Sequence, residues 1–215
     1  MKTIFGVDGP VMRAMTDLMN LVILNILTAL CCIPIVTAGA ALSAMHYIMM
    51  QMVEQEEGSL VRTYFAQFRG NLKGSTLPWL IIAGCAVLLF IDYKFFGSDP
   101  SKRALVIPAY VGWAILAMIF VWLFPLMARF ENTCGASLRN AFLLSIANLP
   151  RTLAMMAIMA AVPFVLTQVT ALLPLALFFG ISLPSYLCVF LYKGVIFKMV
   201  KRAKGEDSDT NEEGA

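Results

Sequence analysis

From Leu18 to Val53 the chain runs for 36 residues without an Asp, Glu, Lys or Arg. As a single helix this stretch would be about 54 Å long at about 1.5 Å per residue, against a hydrocarbon core of about 30 Å. One crossing cannot accommodate it, so the run is expected to fold back. The turn belongs where helix continuation is weakest. Pro34 and Gly39 bracket Ile35-Val36-Thr37-Ala38, whose β-branched residues are poor helix formers, so "ALCCIPIVTAGAAL" reads as a hairpin turn between two spans.

Two other readings of that stretch fail. Ala38-Gly39-Ala40 has the small-x-small form of a cleavage site, but the apolar region before it, Leu18 to Val36, exceeds the roughly 7 to 15 residues of a signal peptide. Vicinal Cys31 and Cys32 do not readily close on each other, and Cys85, Cys134 and Cys188 are scattered without metal-ligand spacing. The cysteines are expected to be packing residues.

Four further apolar segments complete the pattern, and 60% apolar residues with a mean hydropathy of +0.81 place the whole chain in a membrane. The expectation is an all-α integral membrane protein, a polytopic bundle of six transmembrane helices at about 18–34, 37–53, 77–93, 104–127, 152–170 and 174–192. Residues 1–17 form an N-terminal segment, and 193–215 a basic then acidic disordered tail. With both termini cytoplasmic, 13 of the 16 Lys and Arg residues fall on the inner side. A five-span alternative divides them 11 to 5, so six is favoured.

The segment 59–73, "SLVRTYFAQFRGNLK", places Val61, Phe65, Phe68 and Leu72 on one helical stripe, with Arg62, Arg69 and Lys73 on its flank. That pattern fits a cytoplasmic amphipathic helix in the headgroup region, serving as a connector or as a docking surface for a partner. An echo of it appears at an offset of 77. Glu54, Gly58, Arg62, Phe65, Asn71 and Leu72 recur as Glu131, Gly135, Arg139, Phe142, Asn148 and Leu149. The match implies two parallel repeats with both amphipathic helices on one side. In the second, Leu138, Phe142, Ser145 and Leu149 form the stripe of a helix over 136–149. Candidate docking residues are Glu54, Gly58, Arg62, Phe65, Arg69 and Asn71, then Glu131, Gly135, Arg139, Phe142 and Asn148.

Ionisable groups at membrane depth are nearly absent. Asn20, Asn25 and His46 are the candidate intramembrane polar residues, either joining helices or lining a polar path. Gly39 and Ser43, with Ala40 and Ala44, have the spacing that lets a neighbouring helix approach closely. No phosphate-binding loop, zinc-protease helix or nucleophile elbow occurs, and nothing reads nucleic acid. The chain is expected not to be an enzyme and to use no cofactor or metal.

The first third carries a resemblance. "VMRAMTDLMNLVILNILTALCCIPIVTAGAALSAMHYIMMQMV" followed by "EEGSLVRTYFAQFRGNLKGST" resembles the YesL family of bacterial membrane proteins, in the Asn-Leu and Leu-Asn pairs at 20–25, "CCIPIVTAGAA", Glu-Glu-Gly and Phe-Arg-Gly-Asn-Leu-Lys. Arg69 stands where that family usually has Lys. The resemblance implies a domain of unknown function, commonly encoded beside carbohydrate uptake systems in Gram-positive bacteria, with no catalytic residues. A non-enzymatic accessory or regulatory partner of such a system is expected, contacting a sugar-importer subunit or a sensor kinase besides the lipid bilayer. The alternative is a permease-like subunit, because "ENTCGASLRNAFLLSIANLP" at 131–150 is similar to the loop by which sugar-importer permeases engage their ATPase, with a shorter Glu-to-Gly spacing.

Overall fold

The computed structural model describes residues 10–55, 58–97, 106–168, 175 and 178–204. Among them are seven helices and a short 3₁₀ turn: α1 Pro10–Cys32, the turn Ile35–Thr37, α2 Ala38–Glu54, α3 Leu60–Gly97, α4 Ile107–Arg129, α5 Cys134–Ala147, α6 Leu149–Gln168 and α7 Ser182–Lys204. All but α5 are long and apolar enough to cross a membrane, six in number, as the sequence implies.

The hairpin turn lies where proline and glycine place it. Pro34 is extended at φ −75° and ψ 111°, and the Thr37 hydroxyl lies 2.7 Å from the Cys31 carbonyl, an acceptor left over at the end of α1, and 2.9 Å from the carbonyl of Pro34. The described cysteines are all free thiols, with Cys188 buried and Cys31 packed against the core.

α2 is the central helix, buried over most of its length, and its first turns are nearly all small: Ala38, Gly39, Ala40, Ala41, Ser43 and Ala44. Small residues let a neighbour approach to backbone distance. A Cβ on Gly39 would stand 2.6 Å from both the Ser75 carbonyl and the Trp79 Cβ, so this glycine is what allows α3 to seat. Trp79 Nε1 donates to the Ile35 carbonyl at 2.7 Å, and the Tyr64 hydroxyl reaches Thr28 and the Ala41 carbonyl at 3.4 Å. Contacts spread along α3 thus converge on residues 35–43 of the turn and α2.

Several spans differ from the sequence reading at their ends. The segment 59–73 is not a helix separate from the span at 77–93. Both belong to α3, which passes through Gly70, Gly74 and Pro78 without a break. Its buried stripe is Tyr64, Ser75, Pro78 and Ile82 with Phe68 partly covered, while Val61 and Phe65, expected on the apolar stripe, stand exposed. On α3, Lys73 and Lys94 are separated by about 31 Å, one hydrocarbon thickness. Leu77, Leu80, Ile81, Val87, Leu88 and Ile91 between them are exposed and suit a lipid surface. Leu60 to Lys73 therefore extends past the core.

The second stripe is also rotated. α5 turns Ser137, Ala141 and Ser145 inward, leaving Leu138 and Phe142 partly covered and Leu149 exposed, because small residues set how closely α5 can pack. At the C-terminus the helix does not stop at 192. α7 runs to Lys204, with Lys193 over the Phe190 ring at 5.1 Å and Lys201 over Phe197 at 5.5 Å, so residues 193–204 belong to the helix and not to the tail. α1 likewise starts at Pro10, inside the segment read as preceding the first span. The acidic tail at 205–215 lies outside the described residues, as do Glu56 and Glu57.

Candidate functional site

α2 and α4 are each closed by a charged residue, and the two are partners. Arg129, in the last turn of α4, donates to Glu54, the last residue of α2, at 2.5 Å, and its guanidinium lies 5.1 Å from the Tyr47 ring centre. Arg13, early in α1, donates to Gln55 at 3.2 Å. These contacts bring the α2–α3 and α4–α5 connections to the same end of the bundle, the relation that the internal echo requires. Sequence reasoning missed Arg129 as a site residue, though a lone basic residue closing an apolar run is a readable signal.

Beside this pair, between α3 and the α4–α5 connection, lies a cleft of about 230 Å³. Asn71 and Lys73 line it from α3, Glu131 and Asn132 from the connection, and Ser137 from α5. Gly70 and Gly74 also line it, and an added Cβ on either would meet nothing within 4 Å, so both leave space. Asn71 from the first copy of the echo and Glu131 from the second thus share one site. Lys73, Asn132 and Ser137 join them without having been singled out as candidates. An ammonium, a carboxylate, two amides and a hydroxyl can hydrogen-bond a polar peptide surface. Among the described residues no three His, Cys, Asp or Glu side chains come together as a metal set.

The other docking candidates divide into exposed and structural residues. Arg62, Arg69 and Arg139 are exposed, with Arg62, Arg69 and Lys73 falling within one narrow stripe of α3. Phe65 is 37% exposed, Phe142 is half-buried, and Gly135 is exposed with open space around it. Gly58 lies elsewhere, in a larger cavity between α1, α2 and α3. Glu54 is engaged by Arg129. Asn148 ends α5, its Nδ2 donating to the Leu144 carbonyl at 3.3 Å and its Oδ1 accepting from Arg151 at 3.2 Å.

The echo extends beyond its six matches. At the same offset of 77, Ser75 corresponds to Thr152, and each is a buried hydroxyl bonded to the preceding long helix. Ser75 Oγ lies 3.2 Å from Ser43 of α2, while Thr152 Oγ1 accepts from Trp122 of α4 at 2.8 Å.

Of the intramembrane polar residues, two are structural. Asn25 is buried, and its Oδ1 accepts the backbone N–H of Ile181 and of Ser182 at 3.0 Å each, capping the first turn of α7 from another helix. His46 is buried with Nδ1 2.9 Å from the Tyr192 hydroxyl, its ring stacked at 4° on Phe124 with centroids 6.4 Å apart. Asn20 alone of the three lines an open cavity, the one that also holds Gly58.

The chain is similar to the uncharacterised protein YteU of Bacillus subtilis (strain 168), at 29% identity over 164 residues, 74% of this chain and 71% of the relative. No solved structure matches. The hairpin turn, α2 and the part of α3 that lines the cleft fall within residues 18–93, and this stretch is similar to the family described as "Protein of unknown function, DUF624".

Proposed function

We propose that this protein is a non-enzymatic accessory or regulatory partner of a carbohydrate uptake system, docking through the polar end of its bundle. The observation that carries the reading is the convergence of Asn71 and Glu131, one from each copy of the echo, on a single cleft beside the exposed basic stripe Arg62, Arg69 and Lys73. In this reading the docking face is cytoplasmic, in agreement with the distribution of Lys and Arg. The carbohydrate part rests on the YesL-type resemblance.

The test is affinity purification of the tagged full chain from native bacterial membranes in mild detergent, with mass spectrometry of what accompanies it. Arg62→Ala/Arg139→Ala and Asn71→Ala/Glu131→Ala are the comparison variants. The intact protein is expected to retain a sugar-importer subunit or a sensor kinase, and both variants to lose it while expressing normally. Equal recovery from both variants, or no specific companion with the intact protein, overturns the proposal.

A further inference from the structure

The larger cavity, about 590 Å³, opens between the first half of α1, the second half of α2 and the start of α3. Four of its lining residues, Arg13, Thr16, Asp17 and Asn20, recur on α1 at intervals of three and four, so one face of that helix turns polar groups toward the space. Further along α1 the same stripe continues as Leu21, Leu24 and Thr28, which are buried against the bundle. Gln51 and Gln55 line the cavity from α2. One stripe of α1 is therefore apolar where it meets the bundle and polar where it meets the cavity.

The charges on the polar face are one of each sign, a single helical turn apart and about 6 Å along the axis. Arg13 uses one N–H on Gln55 at 3.2 Å, and Asp17 accepts from the Tyr186 hydroxyl at 3.3 Å. A guanidinium has five N–H donors and a carboxylate about four acceptor sites, so each of these two lining residues keeps capacity beyond the bond it makes. A simple cation entering the cavity meets Arg13, and a simple anion meets Asp17. A solute bearing both charges satisfies both, and the volume lies within the roughly 300 to 1,000 Å³ typical of small-molecule sites.

We propose that this cavity binds a zwitterion, its anionic oxygens on Arg13 and its ammonium on Asp17, with the amides of Asn20 and Gln51 completing the contacts. Two sources supply that chemistry: a free solute of the amino-acid type, or the phosphate-and-ammonium headgroup of a zwitterionic phospholipid. The site is separate from the docking cleft and does not depend on the reading given for it.

Two probes distinguish the sources. Glycine and glycerophosphoethanolamine are titrated calorimetrically into the full-length protein in a maltoside detergent, and lipid retention is measured by native mass spectrometry from mixed phosphatidylethanolamine and phosphatidylglycerol micelles. Binding of glycine points to the solute. Selective retention of phosphatidylethanolamine points to the lipid. In either case Arg13→Asp and Asp17→Arg are each expected to weaken binding about tenfold or more, and the double reversal to recover most of it, because the two charges exchange places. Tyr186→Phe, which removes only the helix contact of Asp17, leaves binding unchanged. The proposal is overturned if no zwitterion binds in either arm or if a neutral polyol such as glycerol binds as well. Indifference to the single reversals, or failure of a folded double reversal to recover, overturns it too.

Discussion

The two copies of the echo start from nearly the same words and end in different shapes. Asn71-Leu72-Lys73 lies inside α3, which continues unbroken from Leu60 to Gly97, whereas in Asn148-Leu149-Pro150 the helix breaks at Asn148, at φ −125° and ψ 44°, and α6 starts afresh at Leu149. At the offset of 77 the difference between the two words is Lys73 against Pro150. Proline lacks the N–H that would bond the carbonyl four residues back, and its ring crowds that carbonyl. It is not sufficient by itself, since Pro78, Pro125 and Pro163 all lie inside helices. The second copy adds a partner for an acceptor that the break exposes. The Thr152 hydroxyl stands 2.9 Å from the Ser145 carbonyl, while the carbonyls of Leu144 and Asn148 keep the backbone N–H groups of Asn148 and Thr152. A helix within a membrane protein thus ends where a proline coincides with side chains able to serve the freed carbonyls.

The largest effect is expected from writing the second word into the first. Lys73→Pro gives α3 the sequence Asn-Leu-Pro at 71–73 in a place where packing on α2 requires a continuous helix. The cost is about 3 kcal/mol or more, read as a loss of thermal stability in detergent and as new amide exchange around 69–73. Unchanged stability would mean that α3 tolerates a joint there and that the difference between the copies lies elsewhere.

Next comes Thr152→Val, which keeps the shape and removes the hydroxyl. It leaves the Trp122 indole N–H without its acceptor and the Ser145 carbonyl without the hydroxyl donor, in a fully buried position, while the Asn148 carbonyl keeps the Thr152 backbone N–H at 2.9 Å. Each unsatisfied buried group costs about 1 to 3 kcal/mol, so a loss of about 2 to 3 kcal/mol is expected in the same melt. Ser75→Ala, its counterpart in the first copy, should cost only about 1 kcal/mol, because Ser43 keeps its own bond to the Gly39 carbonyl at 2.9 Å. Equal losses would show that the two hydroxyls do the same job and that Thr152 has no special part in the joint.

Much of this contrast could not be read from the chain. Pro34, Gly39 and the absence of charge locate the first hairpin closely, because length against bilayer thickness leaves few ways to fold 36 uncharged residues. The ends of α3 and α7 escape sequence reasoning for one reason: Arg62, Arg69 and Lys193 look like the places where helix gives way to connector, yet charge marks only where the membrane ends. The candidate site was partly legible. Repetition picks out Asn71 and Glu131, because it detects paired positions without knowing that they meet. It passes over Lys73, Asn132 and Ser137, because no periodicity links a residue in a connection to one on a helix passing beside it. Asn25 shows the converse, since its polarity was visible but its partners, the backbone N–H groups of Ile181 and Ser182, lie 156 and 157 residues away.

The smallest expected effect is also the one that separates local from tertiary causes. Pro150→Lys makes the second word identical to the first and restores a backbone N–H at position 150. If proline alone breaks the helix, α5 and α6 should fuse and the new amide should be as protected from exchange as the interior of α3. The contacts argue otherwise. Ser137, Ala141 and Ser145 are packed inward on one side of the joint, and Thr152 is held by Trp122 on the other, so a straightened helix would have to give up one set. The bend should therefore persist, with a stability change within about 1 kcal/mol and rapid exchange of the restored amide. Protection of that amide would reverse this order of causes, making the packing around Thr152 a consequence of the proline rather than what holds the bend in place.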